Sequence, residues 1–134
     1  MTGEKASVVQ GGESFQVQQG PDYKPGISAE TVGAEALWLG MVTIAPGQRT
    51  KAHVHAVHES AFYMLSGESV DLYSGPNLAH HASARPGDFL FIPPRTLHVA
   101  VNRATVPAVF IGCRNEATAL ESVELHPEMD AKVP

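Results

Sequence analysis

A single cysteine, Cys113, occurs in the 134 residues, so no intrachain disulfide can organise the fold. Long apolar runs are missing too. No window approaches the roughly 18 apolar residues of a membrane span, and the N-terminal MTGEKASVVQGGESFQ has no apolar stretch of signal-peptide length. Basic residues are scarce: 9 Lys and Arg stand against 14 Asp and Glu, for a formal charge of −5. Nucleic acid and anionic lipid both demand clustered Lys and Arg, so neither is expected as a partner. Ser-x-x-Lys, Gly-x-Ser-x-Gly and P-loop patterns are absent, which leaves hydrolase and nucleotide chemistry without support. These absences predict a soluble, cytoplasmic protein whose partner is a small molecule.

What is present is material for one core, with 43% hydrophobic and 17% charged residues. Residues 1–33, rich in Gly, Gln and Ser with Pro21 and Pro25, predict an arm with at most one short strand, Ser14 to Val17. Residues 34–115 hold short runs rich in Val, Ile, Phe and Tyr, as pleated strands prefer. These runs are divided by Pro46-Gly47, Ser66-Gly67, Pro86-Gly87, Pro93-Pro94 and similar turns. Many short strands at regular spacing predict an all-β sandwich or closed barrel. Residues 116–134 form a tail in which Glu116 to Asp130 is the one plausible helix, with Pro127 as its breaker.

Seven histidines are unevenly spread, and His53, His55 and His58 crowd into six residues just before Glu59. In a strand, residues i and i+2 project from the same face, so His53 and His55 form half of a divalent-metal site without any backbone rearrangement. His98 lies far along the chain, on another predicted strand after Pro93-Pro94-Arg95. His80 and His81 are adjacent and face opposite ways, as in a surface hairpin, and His126 falls in the tail.

Two spaced motifs carry a family resemblance. The first runs Gly47, five residues, His53-Val54-His55, three residues, Glu59, and ends at Gly67. The second runs Gly87, five residues, Pro93-Pro94-Arg95, two residues, His98, three residues, Asn102. In this order they resemble the two motifs of the cupin superfamily, small single-domain members above all, with Arg95 standing where the motif has glycine. Nineteen residues separate Gly67 from Gly87. The resemblance covers roughly residues 36–114 and implies a double-stranded β-helix, a small jelly-roll barrel with a metal near its closed end.

It also implies ligands at His53, His55, Glu59 and His98. Seven residues separate Glu59 from Gly67 where the motif allows six, and counting back from the glycine moves the carboxylate position onto Ser60. Strand alternation through Ser60, Phe62 and Met64 then turns His58 inward and Glu59 outward. A four-histidine set, His53, His55, His58 and His98, is the favoured expectation, with Glu59 as the alternative to His58 after a bulge. Such a set suits one divalent transition metal (Zn, Ni, Fe, Mn or Cu). Trp38, Met41, Phe62, Met64 and Phe91 supply apolar bulk for a pocket, and Arg95 at its lip is a candidate for an anionic substrate.

The resemblance extends to aromatic-polyketide cyclases, and the expected activity is Lewis-acid cyclisation or isomerisation of a small carbonyl-containing, aromatic or polyketide-like substrate. A metal-dependent dioxygenase and a non-catalytic small-molecule-binding cupin are the alternatives. Exposed sheet edges predict a homodimer, with the Ser14–Val17 strand crossing to a partner.

Overall fold

The computed structural model describes residues 5–119 and 122–134. Its strands are β1 (Phe15–Gln16), β2 (Asp22–Ile27), β3 (Trp38–Ile44), β4 (His53–His55), β5 (Ser60–Ser66) and β6 (Val70–Ser74), then β7 (His80–Ala84), β8 (Phe89–Ile92), β9 (His98–Val101), β10 (Ala108–Arg114) and β11 (Val123–Leu125). A single-turn helix, α1 (Ala29–Val32), and short 3₁₀ turns at Pro76–Leu78 and Pro127–Lys132 complete it. The strands form two antiparallel sheets, one ordered β1-β2-β3-β10-β5-β8 and the other β11-β4-β9-β6-β7. This two-sheet, almost wholly β architecture is the jelly roll anticipated from the strand spacing.

Alternation sorts each strand. In β3, Trp38, Gly40, Val42 and Ile44 are buried between the sheets while Leu39 and Met41 point away. The core joins Tyr23, Trp38, Val42, Met64, Val70 and Phe110. Gly40 is forced by this packing. A Cβ there would stand 2.4 Å from the Lys24 carbonyl oxygen and 2.7 Å from the Trp38 ring.

A second cluster, Ala52, Leu78, Val99, Val101 and Val133, lies where the two 3₁₀ turns meet the five-stranded sheet. Val99 and Val101 alternate with His98 and Ala100, which line the interior, so this cluster covers that sheet's outer face. Arg49 clamps it with guanidinium bonds to the Val133 and Asp130 carbonyls, 2.8 and 2.9 Å.

Two expectations are corrected. Residues 5–33 contain two strands and the single-turn α1, not at most one strand, because β2 pairs with β3 across Asp22↔Thr43 to Ile27↔Leu39. Pro25 concealed it: a proline is admitted there because β1 ends its pairing at Tyr23, and a bulge follows. β1 folds back onto β2 of the same chain, Phe15↔Tyr23. The tail helix over 116–130 does not form among the described residues. Val123 and Leu125 pair with His55 and His53, and Pro127 opens a 3₁₀ turn. The pairing satisfies the β4 edge, which a helix would leave bare. No helix among the described residues is long and apolar enough to cross a membrane.

Candidate metal centre

β4 and β9 build the site. Their antiparallel pairing sets His53 directly opposite His98, and His55 follows two residues later on the same face of β4. The ring centroids of His53 and His98 are 4.1 Å apart, those of His53 and His55 4.9 Å, and those of His55 and His98 5.2 Å. One ring nitrogen from each of the three lies within 4.8 Å of the others, and all three side chains are buried. Imidazoles on the rigid spine of two paired strands need no ordering before they converge.

Their hydrogen bonds prepare the donors. His53 Nδ1 lies 2.6 Å from the Lys51 carbonyl oxygen and His98 Nδ1 lies 2.9 Å from that of Thr96. A carbonyl only accepts, so each Nδ1 carries the proton and each Nε2 carries a lone pair. This backbone-anchored tautomer is the one a metal-binding histidine uses. Three converging imidazole nitrogens fit a divalent transition ion and suit a hard alkaline-earth ion poorly.

His58 is buried beside the triad. Its ring lies 4.6 Å from that of His55, tilted by 44°, and its Nδ1 is 3.3 Å from Ser60 Oγ. It lies outside the tight three-nitrogen group, so three of the four expected histidines converge and the fourth flanks them. Glu59 is exposed on the outer side, where its backbone N–H donates to Asn115 Oδ1 at 3.0 Å. Near His58, the Glu116 carboxyl is held below the usual carboxylate range, chiefly by the Thr118 backbone N–H. Burial opposes that shift, while the Thr118 hydroxyl and the charges of Arg114 and His58 assist it.

The triad closes one end of an apolar cavity of about 50 Å³, walled by Val42, Ile44, Phe62, Leu90, Ile92 and Phe110. Apart from the histidines, its polar lining comes from Gln19, Tyr23 and Thr50. Gln19 Nε2 donates to the Tyr23 hydroxyl at 3.3 Å, and the Gln19 carbonyl accepts from Lys51 N–H at 2.7 Å, which ties the arm to β4. These three residues escaped sequence reasoning. The one available signal was apolar alternation around Tyr23, which Pro25 and Gly26 interrupt.

Of the six residues expected to line a pocket, Phe62 alone lines this cavity, while Trp38 and Phe91 border a separate surface groove. Trp38 is buried in the core between Tyr23, 5.4 Å away, and the Arg114 guanidinium, 4.6 Å away. Met64 is wholly buried behind the wall. Met41 belongs to the outward parity of β3, and Phe91, 57% exposed, to that of β8. Arg95 is exposed, with a positive φ of 59°. Its contribution is its backbone, whose N–H donates to the His55 carbonyl at 2.8 Å. The motif's glycine position therefore does require a left-handed residue, and arginine adopts that conformation here.

Comparison with known proteins bears on these features. The model of the cupin domain matches residues 40–112, more than half of the chain. The auxin-binding protein T85 of Nicotiana tabacum is 33% identical over 70 residues, covering 52% of this chain and 36% of that protein. The tetracenomycin polyketide synthase protein TcmJ of Streptomyces glaucescens is 26% identical over 91 residues, 68% of this chain and 58% of that one. The chain thus spans between about a third and three fifths of the length of these two relatives. An uncharacterised Klebsiella pneumoniae protein with a double-stranded β-helix domain superposes with a TM-score of 0.64 at 17% identity, covering 83% of this chain and 88% of the other.

Proposed function

The chain belongs to the cupin domain family, and from that membership we propose that it is a metal-dependent enzyme acting on a small carbonyl-containing molecule, by enolisation, isomerisation or cyclisation. One observation carries the reading: His55 and the backbone-anchored His53 and His98 converge at the end of an apolar cavity. His53, His55 and His98 would hold the ion, which is one of Zn, Ni, Fe, Mn or Cu, and His58 orders the His55 ring from the side. When bound, such an ion supplies a Lewis-acidic centre for a carbonyl or enolate oxygen.

The protein's own residues do the rest. An all-imidazole donor set brings no negative charge, so an anionic enolate is met by the full charge of the site. The apolar wall excludes water and strengthens each electrostatic contact inside. Gln19 and Tyr23 offer an amide and a phenol to orient a second oxygen of the substrate. A cavity of about 50 Å³ has room for about four waters. It therefore accepts the reacting end of a molecule and not a fused aromatic. The likeness to a polyketide synthase protein supports a polyketide-like substrate whose remaining rings stay outside the barrel.

A second reading, a non-catalytic small-molecule binder, is favoured by one feature: among the described residues, no Asp, Glu, Lys or Arg lines the cavity to move protons. One experiment separates the two. Protein purified without added metal is assayed for metal content, then mixed with acetylacetone in D₂O while exchange of its methylene protons is followed by NMR. The enzyme reading expects a single equivalent of first-row metal and accelerated exchange that is lost in His98→Ala. Bound but unexchanged dicarbonyl selects the binder, and failure to take up metal overturns the enzyme reading.

A further inference from the structure

The cavity is sealed on one side and open on the other. On the arm side, Gln19, Pro21, Ile44 and Thr50 are all buried. The turn that carries Gln19 is fastened there. Val17 N–H donates to the Pro21 carbonyl and Gly20 N–H to the Val17 carbonyl, each at 3.0 Å, and Lys51 N–H reaches the Gln19 carbonyl at 2.7 Å. Among the described residues, the lining side chains that are not fully buried are Phe62, Leu72, Leu90 and Ala100. Register joins them in two pairs, Phe62↔Leu90 across β5 and β8, and Ala100↔Leu72 across β9 and β6.

Both pairs lead to a sheet edge, since β8 ends one sheet and β7 the other. On β7, Ala82 stands opposite Leu72. Directly opposed residues of antiparallel strands share a face, so Ala82 turns toward the barrel interior. It is nevertheless exposed, as is His80, two residues away on the same face. His80 stands opposite Ser74, which is itself opposite His98. The lip formed by β7 therefore lies two strand spacings, about 9.5 Å, from the triad. Interior-facing residues that meet solvent mark an opening between β7 and β8. It stops at Val70 and Ala84, the next interior pair along β6 and β7, which are buried in the core.

We propose that this slot is the entrance to the cavity, and that Ala82, with Leu72 and Leu90, selects ligands carrying a flat aromatic group next to the carbonyl. The inference rests on the function proposed above: the carbonyl end occupies the cavity of about 50 Å³, and the aromatic group lies in the slot. Two leucine side chains and an alanine methyl give that group an apolar, uncharged seat where it sheds water. The small side chain of Ala82 leaves the space that the ring fills.

The test is equilibrium binding of acetylacetone and of its phenyl analogue, benzoylacetone, to metal-supplemented protein, followed by ligand NMR with metal content read in parallel. The native chain is expected to prefer benzoylacetone by about tenfold or more. Ala82→Leu is expected to abolish that preference while leaving acetylacetone binding and metal content unchanged. Ser83→Leu adds bulk to the outer face of the same strand, opposite Asp71, and is expected to keep the native preference. A native chain without the preference overturns the proposal. So does a preference that survives Ala82→Leu, or one lost equally in Ser83→Leu. Binding is read without turnover, so absent proton exchange defeats the enzyme reading alone, and the phenyl preference still decides the slot. A native chain that binds neither ligand overturns both.

Discussion

Zinc affinity across three variants, His98→Ala, His58→Ala and Glu59→Ala, decides which residues hold the ion. A four-ligand structural zinc contributes about 10–16 kcal/mol of binding free energy, or on the order of 3 kcal/mol per ligand. Losing His98, one of the three convergent nitrogens, should raise the Kd about 10²-fold. His58 touches His55 ring to ring at 4.6 Å but stands outside the tight group, so its loss should cost about tenfold, the lower end for a residue that orients a ligand. Glu59 is exposed and faces away, and its loss should change nothing. The assay is competition with a chromophoric chelator, with far-UV dichroism of the metal-free protein confirming that each variant is folded. A Glu59→Ala variant as weak as His98→Ala would refute the strand-parity argument. A His58→Ala variant equally weak would restore the four-histidine set.

Four more outcomes follow from the same geometry. Asn102, fully buried, donates to the Ile44, Ala45 and Val106 carbonyls and accepts from Ala104 N–H, so Asn102→Ala should lower stability by roughly 2–3 kcal/mol in urea unfolding; a loss under about 1 kcal/mol contradicts this. Gly40→Ala places a methyl against backbone and the Trp38 ring and should cost about 1–3 kcal/mol, read as a fall in Tm. Burial alone would raise the Asp71 carboxyl, but hydrogen bonds from Ser83 and His81 and the Arg103 charge outweigh it and hold the carboxyl below its usual value. Its folded pKa being depressed, the stabilisation is complete above about pH 4 and lost as pH falls through the folded value. Asp71→Asn should flatten the acid limb of the stability curve, and an unchanged limb denies the pair a role. Arg95→Gly relieves a left-handed residue at about 1 kcal/mol but loosens the unfolded chain by a similar amount, so stability and zinc affinity should both stay level. A tenfold change in either would assign the guanidinium a role that its exposed position does not suggest.

Histidine made β4 and β9 legible. His53 and His55 share a parity that only an inward-facing polar pair explains, and the turn glycines fixed where β5 ends at Ser66. β8 shows the opposite case. Phe89-Leu90-Phe91-Ile92 is apolar on both parities, so nothing local says which aromatic lines the cavity. Its register against β5, Ala61↔Phe91 and Phe62↔Leu90, decides it, and puts Leu90 inside and Phe91 outside. The same ambiguity misplaced Met41. It arises because a sheet with apolar side chains on both faces has no amphipathic signal to read. β2 and β11 were missed for another reason. Their strand character comes from edges that need pairing, the β3 edge in one case and the β4 edge in the other, and not from their own propensity.

This division separates what a motif can carry from what it cannot. The end proposed to hold an ion is set by i, i+2 spacing, which survives in the sequence as short-range pattern, and by one strand pairing, His53 opposite His98. The rest of the cavity's polar lining comes from Gln19 on a tight turn and Tyr23 on a proline-broken strand, both outside the motifs, and from Thr50, one of the first motif's unspecified positions. Gln19 reaches the cavity only because its carbonyl is held by Lys51 N–H, which in turn fixes the residue whose own carbonyl sets the His53 tautomer. The arm and β4 are thus mechanically one unit. A substitution at Gln19 should alter the preference among small dicarbonyls more than metal affinity, because its side chain faces the cavity while its backbone alone supports His53.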